Sequence, residues 1–203
     1  MSEHYYSPKP LSAQRRRHIE VPIRGNRLKF ITDSGVFSKS KIDYGSMLLM
    51  KYMDVPEDAL VLDVGCGYGP IGLCAAKLAV NGFVTMIDIN ERAVQLAKEN
   101  AELNELMNTT VIQSDLFENI PPQDFTRILT NPPIRAGKDA VYTIFEESYM
   151  RLAVRGELWV VIQKKQGAPS ALAKLQSIFE EVHEVCKDKG FRIFRAVKLE
   201  NII

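Results

Sequence analysis

The sequence predicts an α/β fold: a doubly wound, mostly parallel sheet that closes in an antiparallel hairpin. Three observations carry this prediction. From residue 59 to residue 179, apolar β-prone runs alternate with helix-like stretches, and parallel strands need such crossover connections. Glycines at 65, 67 and 69 stand directly between one strand-like and one helix-like segment. The pattern then changes, since residues 182–187 and 191–198 read as two strands joined by the short turn Asp188-Lys189-Gly190.

Taken in order, residues 1–57 form a basic preamble packed on a core of residues 58–203, within a single domain. Residues 18–23 and 27–31 predict two short strands about a turn at Gly25-Asn26. A loop of small and polar residues runs from Thr32 to Ser46, and residues 47–53 predict a helix. Residues 59–64 are the first buried strand of the core, and residues 70–79, opened by Pro70 and rich in Ala and Leu, are the helix behind it. Residues 82–88 predict the next strand. Asn90 caps a helix over residues 91–105, whose inner side carries Ala93, Leu96, Ala97 and Ala101, with Asn104 at its margin. Strands over 109–114, 125–130 and 156–162 and helices over 139–152 and 170–179 complete the alternation, the last helix lying behind Pro169.

Composition narrows the function classes. With 203 residues, 46% hydrophobic and 25% charged, the chain can bury a substantial core of its own. No apolar run approaches the ~20 residues of a membrane helix, and Met1 to Pro10 lacks a signal-peptide core, so a cytoplasmic protein without a membrane partner is expected. Cys66, Cys74 and Cys186 are odd in number and lack metal-ligand spacing, which favours a reduced compartment and no bound metal. The net charge of +1 is uneven: Lys9, Arg15, Arg16, Arg17, Arg24, Arg27 and Lys29 face only Glu3 and Glu20, while Glu99, Glu102, Glu105, Asp115 and Glu118 make the middle acidic. Such an arm is either a solvated face or a stripe that contacts phosphate. His4, His18 and His183 stand in no motif.

The glycine turn suits a nucleotide-like ligand, because glycine lets a ligand lie against bare backbone and the following helix presents unpaired N–H groups. Gly67-x-Gly69-x-x-Gly72, with Asp88 at the end of the second strand, fits a dinucleotide pattern and would suggest NAD. A second frame, Asp63-x-Gly65-x-Gly67-x-Gly69, starts inside the strand and resembles motif I of the class I S-adenosylmethionine methyltransferases. The apolar run ends at Val64, which puts Asp63 at the carboxyl end of the strand, where a carboxylate would take an ammonium and repel a pyrophosphate. The closing hairpin also resembles that seven-stranded fold, in which one strand is left antiparallel.

Asp63, Asp88 and Asp115 all fall at strand ends and, with Asn131, should converge on one crevice. Asp63 can orient a methionine ammonium, Asp88 can accept both ribose hydroxyls and Asp115 can accept from the adenine amine; singly, each could equally cap the helix that follows it. The resemblance places S-adenosyl-L-methionine against Asp63, Gly65, Cys66, Gly67, Gly69, Asp88, Ile89, Ser114, Asp115, Leu116 and Asn131, Cys66 being a small residue in the turn.

The sharpest signal is Asn131-Pro132-Pro133-Ile134. Two prolines after a strand fix φ and remove donors, which leaves the carbonyls of Asn131 and Pro132 free to point inward. If the Asn131 side-chain oxygen and the Pro132 carbonyl accept from an aromatic amine, its nitrogen is held pyramidal with the lone pair aimed at the sulfonium methyl. The tetrapeptide resembles motif IV of the amino-methyltransferases, which act on adenine, guanine or glutamine. There the fourth position is often aromatic and stacks on the target. Ile134 departs from that, so Phe37 is the candidate to sandwich the base, its other reading being a core anchor.

Gly35-Val36-Phe37-Ser38 followed by Asp43-Tyr44-Gly45-Ser46 resembles the segment before motif I in the small-subunit ribosomal RNA guanine-N2 methyltransferases. The likeness covers their catalytic half and implies 16S ribosomal RNA, or the small ribosomal subunit, as partner. RNA docking then falls to the basic arm, to Phe37, Ser38, Arg135 and Lys138, with Lys164 and Lys165 beside the site, or to a partner subunit in a homodimer. Transfer to another planar amine or amide (protein glutamine, DNA or RNA adenine) and a non-catalytic SAM- or NAD-binding module are the alternatives.

Overall fold

A computed structural model of the chain describes residues 15–38 and 41–200, together with Pro8 and Ala13. Glu3, His4 and Lys9 lie outside the described residues. Strands β1 (Arg17–Ile23) and β2 (Asn26–Thr32) form an N-terminal hairpin and lead to helix α1 (Tyr44–Tyr52). The core follows as β3 (Leu60–Val64), α2 (Pro70–Leu78), β4 (Phe83–Asp88), α3 (Glu91–Leu103), β5 (Thr109–Gln113), β6 (Phe125–Thr130), α4 (Lys138–Arg151), β7 (Leu152–Gln163), α5 (Ala168–Gln176), β8 (Glu181–Asp188) and β9 (Phe191–Val197). Its seven strands are ordered β5-β4-β3-β6-β7-β9-β8, with β9 antiparallel to both neighbours. This is the doubly wound, mostly parallel sheet that the alternation predicts, closed by the C-terminal hairpin.

Because helices cover both faces, the strands are apolar on both sides. Along β7, Trp159 and Val161 pack into the layer of α1, α2 and α3, while Leu158, Val160 and Ile162 pack into the layer of α4 and α5. Val61 and Leu62 of β3 divide in the same way. A fully buried Leu or Val contributes roughly 2 kcal/mol, so the two layers dominate the stability of the fold. Strand order reverses at β3, which opens a crevice at the carboxyl ends of β3, β4, β5 and β6.

Several boundaries differ from expectation for physical reasons. The first hairpin turns on Arg24-Gly25, both at positive φ, not on Gly25-Asn26, because Ile23 pairs directly with Asn26. Helix α1 begins at Tyr44, three residues early, because the Asp43 carboxylate caps it by accepting Gly45 N–H at 2.9 Å and Ser46 N–H at 3.3 Å. Strand β7 starts at Leu152, immediately after α4, with a register shift against β6 between Phe125 and Arg127 and a left-handed Arg155 at φ 66°. Pro169 lies inside the first turn of α5, where its missing N–H costs nothing.

The N-terminal hairpin is held to the core by two asparagines of α3. Asn104 accepts Lys29 N–H at 2.9 Å and donates to Lys29 O at 2.7 Å; Asn100 accepts Ile31 N–H at 2.6 Å and donates to Ile31 O at 3.0 Å. Four residues of helix rise about 6 Å and two residues of strand about 6.7 Å, so the amides meet the edge of β2 in register, as a neighbouring strand would. Asn100 also donates to Tyr68 O at 2.8 Å, which ties the hairpin to the glycine turn. The arm is correspondingly engaged: Arg16 pairs with Glu99 at 2.8 Å, Arg27 with Glu20 at 3.0 Å, and Arg24 donates to Met53 O at 2.5 Å. Replacing Asn100→Leu strands the buried Tyr68 carbonyl and the half-buried Ile31 N–H and carbonyl, and urea unfolding is expected to show a loss of roughly 2 kcal/mol.

Candidate active site

The glycine turn is built from both sides. Gly65 N–H and Cys66 N–H both donate to Ile87 O at 2.9 Å, fastening the end of β3 to β4. The turn then needs positive φ at Gly65 (74°) and Gly67 (58°), and no protein atom lies within 4 Å of a Cβ placed at either. Only backbone therefore faces the space beyond. Gly67 N–H donates to Asp88 Oδ2 at 2.8 Å, and Asp88 Oδ1 accepts Asn90 N–H at 2.8 Å. The Cys66 thiol donates to Gly67 O at 3.4 Å, and burial pushes its pKa up, so it is an unreactive space-filler.

That space is a cavity of about 360 Å³. Gly65, Cys66 and Gly67 line it from the turn, Asp88 and Ile89 from the end of β4, and Ser114, Asp115 and Leu116 from the end of β5. Asn131, Pro132 and Pro133 close it after β6. Phe37 and Ser38 stand at the loop before α1, Phe37 with 41% of its surface exposed and Ser38 left-handed at φ 58°. The exposed ring is a cavity wall more than a core anchor.

Other predicted residues lie elsewhere. Asp63 is 0% exposed, and its Oδ2 accepts Gly72 N–H at 2.8 Å behind the turn, so it does not line the cavity. Gly69 caps α2 at φ 97° and packs near Leu73 and Ala97, also out of the cavity. Ile134 opens a 3-10 helix (Ile134–Ala136) and turns its side chain to the α4–α5 core, not to a target. Arg135 is exposed outside the cavity lining, and Lys138 lines a second, smaller cavity, as does the backbone next to Lys164 and Lys165 at Gln166-Gly167. The Pro132 carbonyl is not wholly free. It accepts Ile134 N–H at 2.9 Å across Pro133 (φ −75°, ψ 78°), an inverse γ-turn that leaves one lone pair.

Asp43 and Ser46, which the sequence shows only as part of the segment Asp43-Tyr44-Gly45-Ser46, orient Asn131. Asn131 Nδ2 donates to Asp43 Oδ2 at 3.1 Å and to Ser46 Oγ at 3.0 Å, and the Ser46 hydroxyl itself donates to Asp43. Both hydrogens of the amide are thus engaged, and Asn131 Oδ1 accepts no hydrogen bond among the described residues. The cap of α1 decides which end of the amide is the acceptor. An acid three residues ahead of Ser46, before an apolar run, is a readable helix start, but nothing local in sequence links it to a residue 88 positions away.

Asp63, fully buried, and Asp88, half-buried at the cavity wall, are protonation-sensitive. Burial lifts the Asp63 carboxyl to about 7, against the lowering effect of the Gly72 N–H and with a further push from Asp88. Burial also lifts Asp88, to about 6, although Asn90, Gly67 and Ile89 N–H groups favour its ionised form.

Residues 27–195 match the family model described as methyltransferase small domain. The chain is 52% identical over 201 residues to the uncharacterized protein YbxB of Bacillus subtilis, covering 98% of this chain and 100% of that protein. It is 32% identical over 163 residues to ribosomal RNA small subunit methyltransferase C of Haemophilus influenzae, covering 78% of this chain but only 49% of the relative. It is also similar to the T. thermophilus 16S rRNA guanine-N2 methyltransferase solved with AdoMet and guanosine, with TM-score 0.79, 25% identity, and coverage of 93% and 52% of the two chains. The chain thus spans about half the length of these two ribosomal RNA methyltransferases.

The cavity fits AdoMet (S-adenosylmethionine). Asp88 offers lone pairs for a ribose diol, Asp115 an acceptor for an amine edge, and Ile89 and Leu116 an apolar slot, all beside bare glycine backbone.

Both raised carboxyls bind protons in the folded chain that the unfolded chain has released, so their contribution is full below about pH 4 and is lost as pH rises to about 7. The stability of Asp63→Asn is therefore expected to fall less than that of the parent between about pH 5 and about pH 7.5, as read by urea unfolding without cofactor.

Proposed function

The chain belongs to the methyltransferase small domain family and its cofactor is S-adenosylmethionine, and on that premise we propose that it methylates the exocyclic 2-amino group of a guanine in small-subunit ribosomal RNA. The observation that carries the proposal is the fixed orientation of Asn131. When bound, S-adenosylmethionine supplies an electrophilic methyl carbon on a sulfonium sulfur. The protein's task is to present a weak nucleophile, since the lone pair of an aromatic amine is delocalised into the ring.

With its Nδ2 held by Asp43 and Ser46, Asn131 turns Oδ1 toward one amine hydrogen without a reorganisation cost at the moment of transfer. The remaining lone pair of Pro132 O, held still by the γ-turn, accepts the other hydrogen. Two acceptors out of the ring plane favour a pyramidal nitrogen with its lone pair directed at the methyl group. The nitrogen becomes acidic as it takes the methyl group and displaces a neutral thioether, so one amine proton passes to solvent water without a strong base. Asp88 receives the ribose hydroxyls and Asp115 the adenine amine, with Gly65, Cys66, Gly67, Ile89, Ser114 and Leu116 around them, and Phe37 covers the target base in place of the aromatic residue absent at 134. A guanine inside an RNA helix cannot reach this depth, so the substrate is an unpaired or flipped base.

The RNA docks on the rim of this chain or on a second copy of it; a single monomeric species in sedimentation at working concentration would remove the second copy. Labelled methyl transfer into small subunits, large subunits, free ribosomal RNA and protein extract from cells lacking the gene tests the substrate. Label recovered as N2-methylguanosine from small-subunit RNA is expected, and label in protein or adenine would overturn the assignment. Asn131→Ala is expected to cost at least about a hundredfold in kcat with the Kd for S-adenosylmethionine unchanged. Asp43→Asn keeps a good helix cap but sets one amide donor against another, and a drop of about tenfold in kcat with little change in Tm is expected.

A further inference from the structure

Residues 132–144 form one wall with two faces. Pro132, Pro133, Ala136, Ala140 and Ile144 face the cofactor cavity. Ile134, Gly137, Lys138, Val141 and Tyr142 face the second cavity, of about 170 Å³, whose far side is Ile162 of β7, Gln166 and Gly167 of the β7–α5 connection, and Ser170 and Ala171 of α5. The two cavities therefore stand back to back across a single layer of chain.

The chemistry of the second cavity suits a nucleotide. Its floor is apolar and buried, at Val141, Ile162 and Ala171. Its rim is polar, at Lys138, Gln166, Tyr142 and Ser170, where the Tyr142 hydroxyl donates to the Ser170 carbonyl at 3.3 Å, with Lys138 Nζ 5.0 Å and Lys174 Nζ 5.3 Å from the Tyr142 ring centre. Across residues 134–144 and 163–171, Arg135, Lys138, Lys164 and Lys165 are opposed by Asp139 alone. Among the described residues, none of these four cations is in an ion pair, whereas nearby Arg151, Lys174 and Arg192 all are. The sugar-phosphate backbone of a strand whose guanine enters the main cavity cannot pass through this wall, and where the strand crosses over it the second cavity is the seat its next nucleotide meets.

Resting on the RNA substrate proposed above, we propose that the second cavity seats the nucleotide adjacent to the methylated guanine in single-stranded RNA. Its apolar floor takes the flat face of that base, the polar rim its edge, and the cations the phosphates on either side.

The full-length protein is titrated into a fluorescein-labelled oligoribonucleotide with one guanine among uridines, read by anisotropy at several salt concentrations. Ser170→Phe, at an exposed position on the rim, fills the cavity without changing charge. It is expected to weaken binding about tenfold with the salt slope unchanged, while Lys164→Ala with Lys165→Ala lowers the slope by about one to two, roughly 0.7 for each phosphate no longer neutralised. In transfer assays, Ser170→Phe is expected to raise KM for the oligonucleotide about tenfold relative to that for free guanosine. Parent-like affinity in Ser170→Phe with an unchanged melting temperature, equal effects on oligonucleotide and nucleoside, or no binding by the parent at low salt would each overturn the second seat. Transfer to adenine in place of guanine, with Ser170→Phe still weakening the oligonucleotide, would instead overturn the guanine assignment and leave the second seat standing.

Discussion

Asp88 accepts Gly67 N–H on one carboxylate oxygen and Asn90 N–H on the other, and the organisation of the crevice follows from that pair of bonds. Gly67 belongs to the turn after β3 and Asn90 to the turn after β4, so a single side chain fixes the spacing of the two loops beside the point where strand order reverses. A glycine turn at positive φ has little rigidity of its own, because the residue that permits the conformation also permits many others. A short, half-buried acid, restrained by β4 and by two backbone donors, supplies what the glycines lack. It leaves lone pairs facing the cavity, so scaffold and ligand recognition meet in one group.

On the opposite side of the cavity the logic repeats with an amide. Asn131 follows β6 and is oriented by Asp43 and Ser46, which start α1. The capping acid of a helix ahead of the glycine motif thus sets the polarity of a side chain beyond the fourth core strand. Conformational order in the α1 region and the direction of the Asn131 side-chain oxygen are therefore linked. The likeness to ribosomal RNA methyltransferases covers about half of their length, and Asp43, Ser46 and Asn131 all fall within residues 27–195, the span of the family match.

Most of the fold was legible in the sequence because its signals are local and repeated. Apolar runs bounded by glycine, proline and asparagine gave every core strand, and Asn90 and Pro70 marked two helix starts that stand where expected. Helix and strand ends shifted where a tertiary partner decides them, as at Asp43 or in the continuous passage from α4 into β7. The site was legible as a set of strand ends. Asp88, Asp115 and Asn131 converge as the topology requires, whereas Asp63, at the same kind of position, serves Gly72 instead. Sequence gives a strand end but not which face of the sheet a carboxylate takes. Ile134 shows a similar limit: a γ-turn at Pro133 rotates the chain, so motif order does not carry over into side-chain direction.

The attachment of the N-terminal hairpin has a further consequence. Asn100 and Asn104 dock β2 with uncharged amides, beside the charged contacts of Arg16 with Glu99 and of Arg24 with Met53 O. Neutral hydrogen bonds between buried groups are neither screened by counterions nor titrated across the physiological range. RNA affinity, in contrast, falls steeply with salt. On the proposed function, ionic strength would release a polyanion from the rim while these amide bonds keep the register of the hairpin, and product departure would not need to loosen the scaffold that holds the glycine turn.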